Sequence, residues 1–289
     1  MSELIINLCP TGMIPTKEMT PNVPIEPREI IEDVLKCAEI GITMVHLHAR
    51  DKAGVPTYDP DIYAEILRGI RKYRPDLICG ISLSGRNFKE FEQRSAGLFL
   101  AGEAKPDTGS LTTSSLNFNA QESISSPEMI KQLAQTMLEK GVLPEIEVFD
   151  TGMINYTKYL IKKGLLRPPY YVNLLFGSIA NAQATLLDAG LALQQLMPEA
   201  LWSFAGIGDY QLKMNTLAVT FGGGVRVGLE DNIWFDSGRT KLATNEMLVK
   251  RIKEIAEAMG RPVMKPLDLR KKLNLQTEKG LYGVKSAIN

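Results

Sequence analysis

The chain has 289 residues, 44% hydrophobic and 23% charged, the make-up of a soluble globular protein with an ample core. Lys plus Arg number 33 and Asp plus Glu 33, so formal net charge is zero, which argues against a broad nucleic-acid surface but leaves room for a local basic pocket. The start Met1-Ser2-Glu3-Leu4 is not that of a signal peptide, no apolar run is long enough for a bilayer, and scattered Cys9, Cys37 and Cys79 form no disulfide framework; the expected setting is a reducing cytoplasm.

Short apolar runs alternate with longer amphipathic ones from end to end. The first predicted strand is Leu4–Cys9. Glu26-Pro27 then opens a helix on which Ile30, Ile31, Val34, Leu35 and Ala38 recur at helical spacing, and Gly41 falls where it should stop. A second strand, Thr43–His48, ends in the chain's two histidines, His46 and His48. Side chains at i and i+2 of a strand leave the same face, so both imidazoles point one way. They form either a nest for a borderline cation such as zinc or an ordinary pair bonded to neighbours.

Asp59-Pro60 places a capping carboxylate before a proline at the first helical position. The third strand, Leu77–Leu83, runs into Ser84-Gly85-Arg86. This ending, Ser82 included, suits either an oxyanion or carboxylate cradle or a plain turn. A fourth strand, Thr108–Thr112, carries Ser110 and continues into Thr113-Ser114-Ser115; Ser126-Pro127 starts the following helix and Gly141 ends it. The fifth, Glu145–Phe149, puts Glu145 and Glu147 on one face of an apolar run. A buried carboxylate there is either a partner for a metal-bound imidazole or half of an ion pair. Strands Tyr170–Phe176, Leu201–Ala205 and Val225–Leu229 complete the set. Gly206-Ile207-Gly208 and Gly222-Gly223-Gly224 lie beside the last two and could let a ligand approach the backbone.

Eight strands, each followed by a helix over about 250 residues, predict a single-domain (β/α)8 TIM barrel spanning 1–275, with 276–289 as a C-terminal arm or frayed tail. A doubly wound sheet is disfavoured because no Gly-x-Gly-x-x-Gly follows an early strand. Barrel active sites lie at the strand C-termini. Arg226, Gly228 and Glu230 share a face of the eighth strand, and strands two and eight both flank strand one, so Glu230 can approach His46 and His48. Two imidazoles and one carboxylate with a vacant position make a usual catalytic zinc set. Arg226 needs a carboxylate partner, either Asp231 or one on an adjacent strand.

Taken together, Thr11-Gly12, Pro15-Thr16-Lys17, Pro21-Asn22-Val23-Pro24, Val45-His46-Leu47-His48-Ala49-Arg50-Asp51, Pro144–Met153 and Gly223–Asn232 resemble the β-keto acid cleavage enzymes over Ile5 to Leu275. The resemblance implies a zinc-containing (β/α)8 barrel, usually a homotetramer. Such an enzyme converts a β-keto acid and acetyl-CoA, its co-substrate, into acetoacetate and the CoA ester of the shortened acid. It implies His46, His48 and Glu230 as zinc ligands, Asp231 as general base with Arg226 beside it, Ser82 as a substrate-carboxylate contact, Ser110 at a position held by threonine in the first described member, and Glu147 as a polar site residue. Ile14 stands where that member, which acts on 3-keto-5-aminohexanoate, has the glutamate that binds the amino group. Losing that carboxylate leaves an ammonium without a charge partner, so a neutral, apolar tail is expected.

In the mechanism this predicts, zinc acidifies the carbon between the two carbonyls, Asp231 removes its proton, and Arg226 orients Asp231 while holding its pKa down. Scattered Lys and Arg residues, Arg86 among them, are left to grip CoA. The alternatives are a metal-dependent aldolase or hydrolase working without CoA, and a non-catalytic small-molecule binder on the same barrel; neither a nucleic acid nor a membrane is an expected partner.

Overall fold

The computed structural model describes residues 2–285. Eight parallel strands close into a barrel: β1 (Ile6–Leu8), β2 (Met44–Leu47), β3 (Ile78–Ile81), β4 (Thr108–Thr112), β5 (Leu143–Val148), β6 (Tyr171–Phe176), β7 (Leu201–Gly206) and β8 (Gly224–Val227), with β8 pairing back onto β1. Asn7 is in register with both Arg226 and Met44, which sets β8 and β2 on either side of β1. The predicted (β/α)8 barrel is therefore the fold, and all eight predicted strands are present, the fourth with its predicted bounds and the others with shifted ends. The eighth is shorter than predicted, ending at Val227.

Helices α1 (Pro27–Ile40), α2 (Pro60–Tyr73), α3 (Phe91–Ser95), α4 (Pro127–Lys140), α5 (Thr151–Lys162), α6 (Leu186–Gln195), α7 (Gln211–Phe221), α8 (Asn245–Ala258) and α9 (Pro266–Lys272) surround the barrel. Their starts follow the capping chemistry. Asp59 accepts from the amide of Asp61, Ser126 from that of Met129, and Glu26 forms a capping box with Glu29. The apolar sequence runs become the layer between strands and helices, where Ile30, Val34, Ile66, Leu67, Leu133 and Val249 are buried. Among the described residues no helix is long and apolar enough to cross a membrane.

The barrel's N-terminal end is plugged by α9, whose Leu269 joins Ile5, Met44, Ile78, Leu143 and Tyr171 in a separate apolar cluster. Beneath it, Asp107, just ahead of β4, accepts from both terminal nitrogens of Arg270 at 2.9 and 2.8 Å, from Arg71 at 3.0 Å, and from the amides of Cys79 and Gly283. Burial raises its carboxyl pKa, but Arg71 and Arg270 outweigh that and hold it low. Of the predicted arm, 276–285 packs on this base: Val284 donates to Gly141 O at 2.8 Å and Tyr282 stacks on Arg71 at 3.5 Å. Residues 286–289 lie outside the described residues.

Candidate active site

The mouth of the barrel is polar because of residues the strand period turns inward. His46 lies in β2 and His48 one residue past its end, and both rings are buried. Glu145 Oε2 faces His46 Nδ1 at 3.1 Å, while Asn7 and Asn173 both donate to Glu145 Oε1, at 2.7 and 2.6 Å. An ionised carboxylate keeps the proton on Nδ1, so His46 Nε2 points inward, 3.2 Å from His48 Nε2. His48 Nε2 is in turn 3.2 Å from Glu230 Oε1. One ligand atom from each of His46, His48 and Glu230 lies within 4.8 Å of the others.

Glu230 does not extend a strand, as alternation led us to expect. The chain turns at Gly228, whose carbonyl accepts from the amides of Asp231 and Asn232 at 3.3 Å each, and this turn carries Glu230 back toward the imidazoles. A Cβ on Gly228 would come within 2.1 Å of Cys9 O, so only glycine lets β8 end against β1. Gly12 has φ +67°, and a Cβ there would lie 2.5 Å from Glu230 Cγ. The buried Arg50 donates twice to Gly12 O and once to Pro15 O, fixing the loop that bears Ile14. Asn245, at the start of α8, accepts from Leu229 N at 2.9 Å and donates to Pro10 O at 3.1 Å, clamping the turn from behind.

Arg226 is buried among three carboxylates. It donates to Glu147 Oε1 at 2.9 Å, Glu230 Oε1 at 2.7 Å and Asp231 Oδ2 at 3.1 Å. The two readings of an acidic residue in the fifth strand are thus both realised, Glu145 beside the imidazole and Glu147 beside the guanidinium. Sequence reasoning had no means of telling the two apart, since both share one face. Gly208 N donates to Asp231 O at 2.7 Å, so the Gly206-Ile207-Gly208 stretch braces this carboxylate's backbone.

Burial opposes charge on His46, but Glu145 and Glu230 overcome it and push its pKa up to about 9. In His48 burial prevails and the pKa falls. Burial also raises Glu230, yet Arg226 and the two imidazoles pull it well below the usual carboxylate range. Asp231 goes the other way. Burial lifts its pKa, and the like charge of Glu230 adds to that lift against the pull of Arg226. Arg226 does pull Asp231 down, as expected, but burial and the neighbouring charge of Glu230 outweigh that pull, so the net shift is upward.

These groups open into a cavity of about 600 Å³. His46, His48, Ser82, Glu147, Arg226, Glu230 and Asp231 line it, with Met13, Ile14, Leu116, Phe118, Ile207 and Tyr210 as apolar walls. Ile14, 48% exposed, therefore faces the cavity. Ser110 does not line it. It pairs in register with Glu145, one layer below Thr112 and Glu147, and its hydroxyl accepts from Leu83 N at 2.9 Å. Thr112 lines the cavity instead and donates to Glu147 Oε2 at 2.9 Å.

The profile of beta-keto acid cleavage enzymes matches residues 3–275. A 3-keto-5-aminohexanoate cleavage enzyme from Fusobacterium nucleatum is 33% identical over 96% of this chain and 99% of its own. A 3-oxoadipate:acetyl-CoA acetyltransferase from Cupriavidus necator is 36% identical over 90% of each. A 3-dehydrocarnitine:acetyl-CoA trimethylamine transferase from Rhizobium meliloti is 31% identical over 94% of this chain and 97% of its own. The apo structure of ObcA superposes with a TM-score of 0.76 at 19% identity, and this chain spans about 65% of that longer protein. Near-complete coverage by the family profile and by relatives above 30% identity, on a barrel with this inward-facing set, places the chain in the beta-keto acid cleavage enzyme family.

Proposed function

We propose that this chain exchanges acyl groups between a β-keto acid and acetyl-CoA, releasing acetoacetate and the CoA ester of the shortened acid. The observation that carries this is the meeting, in one cavity, of His46, His48 and Glu230 with Asp231 and Arg226. Relatives named for acetyl-CoA-dependent transfer support the choice of co-substrate.

The donor set fits a divalent cation on two observations. Glu145 occupies His46 Nδ1 and leaves Nε2 facing His48 Nε2, and Glu230 Oε2 is buried without a hydrogen-bond partner among the described residues. Two imidazoles and a carboxylate favour zinc. Held by His46, His48 and Glu230, zinc would supply Lewis acidity to the substrate's keto oxygen.

Asp231 takes the proton from the carbon between the carbonyls, and its raised pKa makes it a stronger base than an exposed aspartate. Arg226 holds Asp231 and Glu147 in fixed positions around that carbon. Ser82, which lines the same cavity, would donate to the substrate's carboxylate. The carbanion attacks the acetyl thioester, forming a carbon–carbon bond and releasing CoA thiolate. The thiolate then attacks the original keto carbon, the older carbon–carbon bond breaks, and Asp231 returns the proton to give acetoacetate. Ile14 offers no anion to an ammonium on the substrate's tail. The proposed setting is the cytoplasm and the proposed assembly a homotetramer, as in the family resemblance; the exposed apolar face of α6 supports self-association.

Purified protein should convert a β-keto acid and acetyl-CoA into a new CoA ester, detected by mass spectrometry. His46→Ala or exhaustive EDTA treatment should remove the activity, and zinc should restore only the EDTA-treated protein. Undiminished turnover in His46→Ala would reject the metal reading.

A further inference from the structure

Asp33 is a half-buried carboxylate on α1, beside the buried Ile30, Val34 and Cys37. Among the described residues it takes part in no ion pair; the nearby lysines are paired elsewhere, Lys36 with Glu246 at 3.7 Å and Lys17 with Glu29 at 2.7 Å. Its one side-chain hydrogen bond among the described residues comes from a neutral amide. Asn245 Nδ2, at the start of α8, donates to Asp33 Oδ2 at 2.7 Å. Burial pushes the Asp33 carboxyl up to about 6; the Asn245 bond, Lys36 and Lys17 offset only part of that lift, and Glu246 adds to it. The folded chain therefore holds this proton more tightly than the unfolded one, so stability falls as pH rises toward 6 and the ionised group opposes folding above it. Stability does not explain Asp33, but its partner does. Asn245 is fully buried with every hydrogen-bonding atom used: Oδ1 accepts from Leu229 N at 2.9 Å, and Nδ2 gives its second hydrogen to Pro10 O at 3.1 Å. Leu229 directly precedes Glu230, and Pro10 leads to Gly12, against which Glu230 packs.

Resting on the proposed function above, we propose that Asp33 is a positioning residue of the active site: through Asn245 it fixes the turn at Gly228 that presents Glu230 to His46 and His48. Asp33 and Pro10 O only accept, so both hold the Asn245 NH₂ on their side and leave its carbonyl to Leu229 N. Asp33 is the stronger of the two acceptors, because an ionised carboxylate binds an N–H about twice as strongly as a neutral carbonyl does. It does not line the cavity. It acts only by denying Asn245, and with it Leu229 and Glu230, a second position, as outer partners do for metal ligands. A group kept although it opposes folding answers to the site's demands rather than the scaffold's.

The test separates the site from the scaffold. Asp33→Ala should weaken zinc binding about tenfold, read by competition with a chromophoric chelator, and Asp33→Asn, whose carbonyl can still accept, should recover part of the loss. In an Asn245→Ala background the same Asp33→Ala change should alter zinc affinity by less than about twofold, because the path is already cut. A loss of about tenfold there too would overturn the assignment. Metal-free Asp33→Asn at pH 8 should unfold at a higher denaturant midpoint than wild type, the gain shrinking as pH falls through 6. A lower midpoint would make Asp33 part of the scaffold and overturn its role in the site. Hydrogen exchange needs neither zinc nor the Asn245 variant. In metal-free Asp33→Ala the amide of Leu229 should exchange about tenfold faster while the amides of β6 keep their wild-type rates. An unchanged rate at Leu229, or an equal rise in β6, rejects the role of Asp33 even if wild type binds zinc. If wild type binds zinc no better than His46→Ala, the metal reading fails, and exchange at Leu229 still decides the role of Asp33.

Discussion

Glu145 faces three side chains at once, and its chemistry follows from which oxygen faces which donor. Oε1 accepts from two amides, so Oε2 is committed to His46 Nδ1. Replacing it by glutamine would keep the shape, but the two amide donors would hold the new carbonyl at the Oε1 position. The glutamine NH₂ would then donate to His46 Nδ1 and force the ring proton onto Nε2, the atom meant for the cation. Glu145→Gln should therefore weaken zinc binding about 10- to 100-fold, measured by competition with a chromophoric chelator. An unchanged affinity would mean that Glu145 does not set the tautomer. Alternation showed that Glu145 and Glu147 share a face and that His46 and His48 share another. It carries no information on depth along the barrel, and so it could neither separate the partner of the imidazole from the partner of the guanidinium nor keep Ser110 out of the cavity wall.

At the scale of elements, strand and helix positions were legible because apolar period, caps and glycine stops agreed with one another. Two features were not. The strand pattern appeared to continue through Glu230, whereas the turn at Gly228 is dictated by the close approach of Cys9, a contact between segments far apart in sequence. The base of the barrel was equally hidden, since nothing local in Asp107, Arg71 or Arg270 announces that they meet. Asp107→Ala would leave two buried guanidinium groups without their shared carboxylate and free the amide of Gly283. A loss of about 3–5 kcal/mol is expected, read as a lower denaturant midpoint with an unchanged m-value. Because Asp107 precedes β4 and the site lies past the strand ends, zinc affinity of the folded variant should match that of wild type. A midpoint equal to that of wild type would show that the arm and α9 are held by the apolar cluster alone.

For the molecule as a whole, zero net charge removes any long-range repulsion between copies. Scattered exposed apolar side chains need no explanation, but here several fall on one flank. Leu186 and Leu187, 71% and 72% exposed at the start of α6, are joined by Leu191 one turn later. The i, i+4 pair Leu187 and Leu191 share one helix face. Water contact with that strip is unfavourable by roughly 25 cal/mol for each Å² that a second copy could cover. Sedimentation equilibrium at micromolar concentration should give a multiple of the 32.0 kDa chain mass, with a tetramer expected. Leu187→Lys places a charge in the centre of the strip and should shift the mass toward that of a single chain without altering helix content. A wild-type protein that sediments as a monomer, or a variant that assembles as wild type does, would assign the α6 face no part in association.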